Sequence, residues 1–362
     1  MSIPGQRLVS LDAFRGATIA SMMVVIILGS YSTAYPFLLH AQWHGWTFTD
    51  TIFPFFIWIV GVAMTFSFAK RMERGDDRRK LLLHTLRRAS LIFLVGLLLN
   101  GFPYYRLATF RIPGVLQRIA ICYLIAGVIF LYTRVRGQIV ATLAFLLIYW
   151  LAMTLVPVPD FGPGVLTREG NFSAWLDRQL LGNHMYPPTR TFDPEGIFST
   201  LPSIATALFG VLTGQLLRSG LEAAEKTAWL AVSGALLMWV GVILDLWMPI
   251  NKMIWTVSYA VFMAGLAALS LACWYWLVDV RGYKRWARPF VIYGMNAIAV
   301  YALSGIIPKL LTMWGWKKGI YGTLFVPFFR PELASMLYGV ATSVCLFLVA
   351  WVMYRRGWFV RL

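Results

Sequence analysis

Ten apolar runs, each about as long as the twenty or so residues a helix needs to cross a bilayer, place the strongest constraint on this 362-residue chain. Backbone amides cannot be left bare in hydrocarbon, so runs of this length must be helices. Alternating strand-length segments, the mark of a membrane barrel, do not appear. The pattern predicts spans at 12–30, 47–69, 87–104, 113–132, 138–156, 198–217, 227–247, 254–277, 289–308 and 332–354. The composition agrees: 59% of residues are hydrophobic and 13% charged, where a soluble domain carries about 25% charged residues to cover its surface. The expected fold is therefore an all-α integral membrane protein with about ten transmembrane helices. Residues 1–362 are read as a single polytopic domain. Three intervening segments, 30–46, 156–197 and 309–331, are longer than turns. The last is apolar but broken by Gly and Pro, as in a re-entrant or interfacial segment.

A formal net charge of +17 on a soluble chain would suggest a nucleic-acid partner. Here the cations sit between apolar runs, so they are read as topology signals and nucleic acid is not expected as a partner. With the N-terminus inside, 21 Lys and Arg fall on the cytoplasmic side, from Arg7 and Arg15 through to Arg355, Arg356 and Arg361, against 10 outside. That bias predicts both termini in the cytoplasm. The basic run from Lys70 to Arg88 reads as a solvated loop facing anionic lipid. No signal-peptide cleavage pattern precedes the first span. Cys122, Cys273 and Cys345 lie inside apolar runs with no Cys-x-x-Cys spacing. His40, His44, His84 and His184 show no metal-protease spacing, so no metal is expected. No Gly-rich phosphate cradle and no fixed-period repeat are present.

The stretch His40-Ala41-Gln42-Trp43-His44-Gly45-Trp46-Thr47-Phe48-Thr49-Asp50 leads into the second span at the outer membrane boundary. Read structurally, Asp50 favours a helix N-terminus and the tryptophans anchor the interface. Read functionally, a neutral imidazole takes a proton from an attacking amine or hydroxyl while a carboxylate orients the ring. His40 and Asp50 could do this if the loop folds back. Arg118, inside the fourth span, is costly in lipid and needs either a buried acid such as Asp245 or a ligand. Asn100, Asn296 and Gln215 also serve to join helices. Arg15 is a topology anchor or a phosphate contact. Asp193 and Glu195 either suit a cationic sugar or cap the sixth span.

Several longer motifs give a family resemblance. Arg7-Leu8-Val9-Ser10-Leu11-Asp12-Ala13-Phe14-Arg15-Gly16, the His40–Asp50 stretch and Ile52-Phe53-Pro54-Phe55-Phe56-Ile57-Trp58-Ile59-Val60-Gly61 resemble the opening of the heparan-α-glucosaminide N-acetyltransferase family. Arg111-Ile112-Pro113-Gly114-Val115-Leu116-Gln117-Arg118-Ile119-Ala120, Thr191-Phe192-Asp193-Pro194-Glu195-Gly196, Pro249-Ile250-Asn251-Lys252 and Gly294-Met295-Asn296-Ala297-Ile298 continue it in order. The Leu-Asp-x-x-Arg-Gly start is also similar to membrane-bound O-acyltransferases.

The resemblance implies acetyl transfer from cytosolic acetyl-CoA to an amino sugar or glycan across the membrane, with His40 as catalytic histidine, acting as base or as acetyl carrier through an acyl-imidazole, and Asp50 as its acidic partner. Arg15, Gln117, Arg118 and Asn296 are the candidates for holding acetyl-CoA; Trp43, His44, Asp193 and Glu195 are those for the acceptor. It further implies a bacterial relative in the inner membrane, without the large lumenal domain of the animal enzymes and in contact with membrane lipids; a homodimer is one assembly it allows. Two positions depart from the family pattern. Ile26-Ile27-Leu28-Gly29 stands where Asn-Asn-Pro-Gly is frequent, and Ser304 stands where the animal enzymes have a histidine. These departures imply weaker catalysis or a changed acceptor. An amino-sugar permease and a catalytically impaired acetyl-CoA binder are the competing functional readings.

Overall fold

The computed structural model describes residues 8–360; Arg7 and Arg361, counted above among the inner-side cations, lie outside them. Among the described residues the chain is all-helical, with thirteen α-helices and no strand. The helices are α1 (Val9–Ile26), α2 (Phe48–Glu73), α3 (Arg78–Gly101), α4 (Val115–Tyr132), α5 (Val135–Leu155), α6 (Phe172–Leu181), α7 (Thr200–Leu217), α8 (Ala223–Asp245), α9 (Val257–Tyr275), α10 (Arg288–Met295), α11 (Ala297–Met313), α12 (Trp316–Leu324) and α13 (Pro331–Arg355). Nine of them are long and apolar enough to cross a membrane, with α9 continued by a π-helical turn to Val280. The pair α10–α11, bent by 76° at Asn296, makes a tenth crossing if taken as one span. Contacts at both its ends favour that reading. Gly294 on α10 lies against the start of α1, while the Lys309 ammonium on α11 donates to the carbonyls of Leu99 and Phe102 at the far end of α3.

Most predicted spans stand within a few residues of their helices. The largest difference is α3, which begins at Arg78 instead of near 87. Asp77 caps it by accepting from the Lys80 N–H at 2.7 Å. Leu81 and Thr85 turn inward, Arg78, Arg79, Lys80 and Arg87 face out, and Arg88 is half-buried over the Tyr123 ring. Much of the expected solvated loop is thus the first three turns of a helix. The segment 309–331 contributes the end of α11 and the short exposed helix α12.

An inner group of helices, α1, α2, α4, α7 and α9, is more than half buried in protein. Outside it, α3, α5, α8 and α13 expose most of their apolar surface, as lipid-facing helices do. Lipid tails give helices no hydrophobic reason to associate, so close backbone approach must hold them. At the α2–α7 crossing, a Cβ on Gly61 would lie 2.0 Å from the Ala207 carbonyl oxygen. One on Gly210 would lie 2.0 Å from that of Trp58. Glycine at both points lets the two backbones touch and fixes α2, which carries Asp50, against the core.

Candidate active site

Helix α2 opens with a capping box. The Thr47 side chain and the Asp50 side chain bond reciprocally to each other's backbone N–H. Asp50 divides its two oxygens. Oδ2 accepts from the N–H groups of Ala41 and Thr47, both at 3.0 Å, while the Thr47 hydroxyl donates to the Leu39 carbonyl at 2.6 Å. Oδ1 is left for the Nδ1 of His40 at 2.6 Å. The carboxylate is 1% exposed and the imidazole 46% exposed, so a buried acid holds a ring whose other nitrogen is available to a ligand. The expected fold-back of the loop is present.

The Asp50 backbone is fixed as well. Pro54 has no N–H, so the Asp50 carbonyl lacks its usual donor one turn on. The Tyr259 hydroxyl, from α9, fills that vacancy at 2.6 Å. Two long-range contacts clamp the loop from outside. The Trp43 indole N–H donates to the Leu166 carbonyl at 2.9 Å, and Arg168 donates to that of Gln42 at 2.6 Å. Trp43 meets the edge of Phe192, with ring centroids 5.1 Å apart. It is a strut between the loop and the long outer segment. His44 is exposed, with its Nδ1 3.5 Å from the Asn251 amide nitrogen.

Asp193 and Glu195 do not cap α7, whose N-cap is Ser199; both bind the guanidinium of Arg111, which lies over the Tyr186 ring. Burial works against the charge of Arg111, but Glu195 and Asp193 outweigh it and raise its pKa. Glu195 likewise resists burial, and Arg111, Lys252 and Arg118 hold its carboxyl down at about 2. Arg118 is not paired with Asp245, whose carboxylate accepts from the Ile250 N–H. It donates instead to the Gly196 carbonyl and the Ser199 hydroxyl and lies 5.1 Å from the Trp255 ring centroid. Its role is to hold the outer segment onto α4. Gln117 is buried one position away.

Two residues escaped the sequence reading as site residues although both stand in its motifs: Arg111, which opens the Arg-Ile-Pro-Gly motif and binds Asp193 and Glu195, and Lys252, which ends the Pro-Ile-Asn-Lys motif. Lys252 is 8% exposed and lies within electrostatic reach of His40, Asp50 and Glu195. Its loop is firmly built. The Asn251 amide oxygen accepts from the N–H groups of Met253 and Ile254, and Trp255 takes the left-handed φ of 51°. For a bulky residue that costs on the order of 1–3 kcal/mol, which the surrounding contacts must offset. Partial burial of the ring and the Lys252 charge together press the pKa of His40 below its ordinary value, although Asp50 and Glu195 oppose them. His40 is thereby kept neutral, the form that can accept a proton.

A cavity of about 830 Å³ lies between α1, α2, α3, α4, α10 and α11. Its basic mouth is lined by Arg15, Arg71, Arg74, His84 and Arg88; the Asp76 carboxylate accepts from Arg71 at 2.8 Å. Its interior is apolar, walled by Met22, Phe53, Phe56, Leu116 and Ile119, with Tyr301 contributing a hydroxyl-bearing ring. Phe53 follows Asp50 by three residues, less than one turn of about 5.4 Å. Tyr301 lies within electrostatic reach of Glu195 and Arg111. Of the four residues expected to hold acetyl-CoA, only Arg15 lines this cavity. Asn296 sits at the bend between two lining residues, Met295 and Ala297, and its side-chain oxygen accepts from the Val360 N–H. Gln117 and Arg118 do not line it; Arg118 reaches Gly196 and Ser199 instead. Ser304 is buried and spends its hydroxyl on the Tyr301 carbonyl; Ile27 and Leu28 are buried while Ile26 is exposed.

The sequence profile described as "Heparan-alpha-glucosaminide N-acetyltransferase, catalytic" matches residues 7–248. Over 98% of its length the chain is 27% identical to the heparan-alpha-glucosaminide N-acetyltransferase of Mus musculus, covering 60% of that protein. The Homo sapiens protein of the same name is 28% identical over 97% of this chain and 59% of its own length. The chain thus spans about 60% of the length of these curated relatives.

Proposed function

The chain belongs to the heparan-alpha-glucosaminide N-acetyltransferase family, and from that premise we propose that it is a transmembrane N-acetyltransferase. It moves the acetyl group of cytosolic acetyl-CoA to an amino sugar on the other side of the membrane. The observation that carries this reading is the cavity: basic residues at one end, an apolar interior, and a wall that includes Phe53, three residues after the Asp50 that holds His40. The basic mouth is the end that the charge bias assigns to the cytoplasm. It suits the phosphates of CoA, and the apolar bore suits a slender acyl-bearing arm. A large anion then stays at its own side, and only the thioester reaches the outer half.

In this mechanism His40 Nε2 takes a proton from the acceptor amine as its nitrogen attacks the thioester carbonyl carbon. The C–S bond breaks, the electron pair leaves with sulfur, and the imidazolium returns the proton to the thiolate. Asp50 holds the ring in the tautomer that leaves Nε2 free and stabilises the imidazolium. Lys252, close to the dyad, stabilises the negative charge that develops on the carbonyl oxygen. His40→Ala tests the assignment. The purified variant is expected to bind acetyl-CoA but transfer no acetyl group to glucosamine; undiminished transfer refutes the role of His40.

A further inference from the structure

A second recess, separate from the cavity above, lies on the outside of the bundle at its basic end. It is a groove of about 380 Å³ between α10 and α13. Pro289 and Ile292 form one wall, and Phe347, Leu348 and Trp351 form the other. Arg285 and Arg288 stand on its rim. Arg355 adds a third guanidinium, 5.3 Å from the Trp351 ring centroid. The lining contains no acid. Neither Arg285 nor Arg288 forms an ion pair with a carboxylate among the described residues. The nearest acid along the chain, Asp279, instead accepts from the Ser10 N–H at the start of α1.

We propose that this groove is a binding site for one anionic phospholipid of the adjacent leaflet, its phosphate held by Arg285 and Arg288 and its acyl chains lying along Ile292, Phe347 and Leu348. Charge complementarity selects the occupant. Two cations left without a counter-ion at headgroup depth, above an apolar trough facing lipid, match a molecule with one anionic head and apolar tails. A soluble phosphate would satisfy the rim but leave the trough uncovered. The site bears on the reaction path because the α10–α11 pair has two faces. Pro289 and Ile292 face the groove, while Gly294, Met295 and Ala297 line the large cavity. On α1, a Cβ at Gly16 would lie 1.7 Å from the Phe290 carbonyl oxygen, so α10 is pressed against α1 with no slack. A lipid in the groove braces α10 from the opposite side.

The test is native mass spectrometry of the full-length protein in detergent, titrated with phosphatidylglycerol or phosphatidylethanolamine. One molecule of phosphatidylglycerol is expected to bind preferentially. The double variant Arg285→Ala, Arg288→Ala should weaken it by about 10- to 30-fold, since each juxtamembrane cation contributes roughly 1 kcal/mol. Leu348→Trp keeps both charges but fills the trough, and it should weaken binding as well. Inorganic phosphate in excess should not displace the lipid. Equal retention of the two lipids, unchanged binding in the double variant, or displacement by phosphate overturns the proposal. So does a groove closed by a second copy of the chain, seen as a dimer that Leu348→Trp dissociates without releasing lipid. Because binding is read directly, the outcome is independent of whether the protein transfers acetyl groups.

Discussion

Replacing Asp50 by Asn separates its two tasks. Two N–H groups, those of Ala41 and Thr47, converge on Oδ2. An amide oxygen must take that position, because an NH₂ group there would face two donors. The NH₂ group is then forced toward Nδ1 of His40, where the carboxylate oxygen stood at 2.6 Å. A donor cannot face a protonated Nδ1, so the imidazole adopts the other tautomer and Nε2 carries the hydrogen. The base is lost with every atom still in place. In serine-protease triads the same exchange lowers kcat by about 10⁴, or about 5.4 kcal/mol of transition-state stabilisation. A loss of that order is expected here, with KM for acetyl-CoA unchanged.

Stability should change little in Asp50→Asn, because the capping contacts survive and only a charge at a helix N-terminus goes, worth about 0.3–1 kcal/mol. Asp50→Ala makes the contrast. It removes the N3 half of the capping box and strands the N–H groups of Ala41 and Thr47, costing about 1–3 kcal/mol, but leaves His40 free to choose its tautomer. Per folded molecule, the Ala variant should therefore be more active than the Asn variant. Both are measured by single-turnover acetyl transfer to glucosamine, with folded fraction from thermal unfolding. An Asn variant within tenfold of the parent, or one more active than the Ala variant, refutes the tautomer argument.

Three further substitutions probe the surroundings of the dyad. Lys252→Gln removes a charge that holds the His40 pKa down; the pKa rises, and the acid limb of the kcat/KM profile must move to higher pH. A limb that stays in place excludes Lys252 as an electrostatic neighbour of the base. Tyr259→Phe strands the Asp50 carbonyl and should cost about 1–3 kcal/mol. Adding Pro54→Ala restores the missing helical N–H, so the double variant should regain much of that loss, and a strictly additive cycle contradicts this account. Asp177, buried in α6, has its pKa pushed up to about 7, chiefly by desolvation. The folded state therefore binds its proton more tightly than the unfolded state. Stability falls as pH rises from about 4 to 7, by at most about 4 kcal/mol from this group. Asp177→Asn should flatten that slope in unfolding midpoints taken at pH 5 and pH 8.

The spans were legible because lipid imposes one rule on every residue of a run, and that rule acts locally. The ends were less so, since capping decides them: Asp77 starts α3 well before the apolar stretch begins. Helix α6 went unread among Pro and Gly, being only ten residues long and capped by Asn171. His40 and Asp50 could be paired on paper because ten residues separate them and a turn can join them. Arg111 and Glu195 are 84 residues apart, and Lys252 reaches the dyad from a different hairpin. No local spacing encodes those approaches. The basic run 70–88 failed for another reason: composition cannot distinguish cations that face water from cations that rim a cavity, as Arg71, Arg74 and Arg88 do.

Sequence reasoning offered two accounts of Asp50, a helix cap or the partner of a catalytic histidine, and treated them as rivals. The geometry makes each depend on the other. A carboxylate that served only His40 could rotate about its own bonds and carry the ring with it. Here the two N–H donors on Oδ2 fix that rotation, so the cap is what aims Oδ1. The helix would not by itself hold the cap still, because Pro54 interrupts the hydrogen bonding of the first turns. The Tyr259 hydroxyl repairs that interruption from α9, whose Phe262 also packs against Trp46 of the dyad loop. Pro54 is therefore more than a tolerated break. By freeing one carbonyl it ties the orientation of a histidine in an outer loop to the packing of two central helices, so substitutions deep in the α2–α9 contact should change the reaction rate before they change the fold.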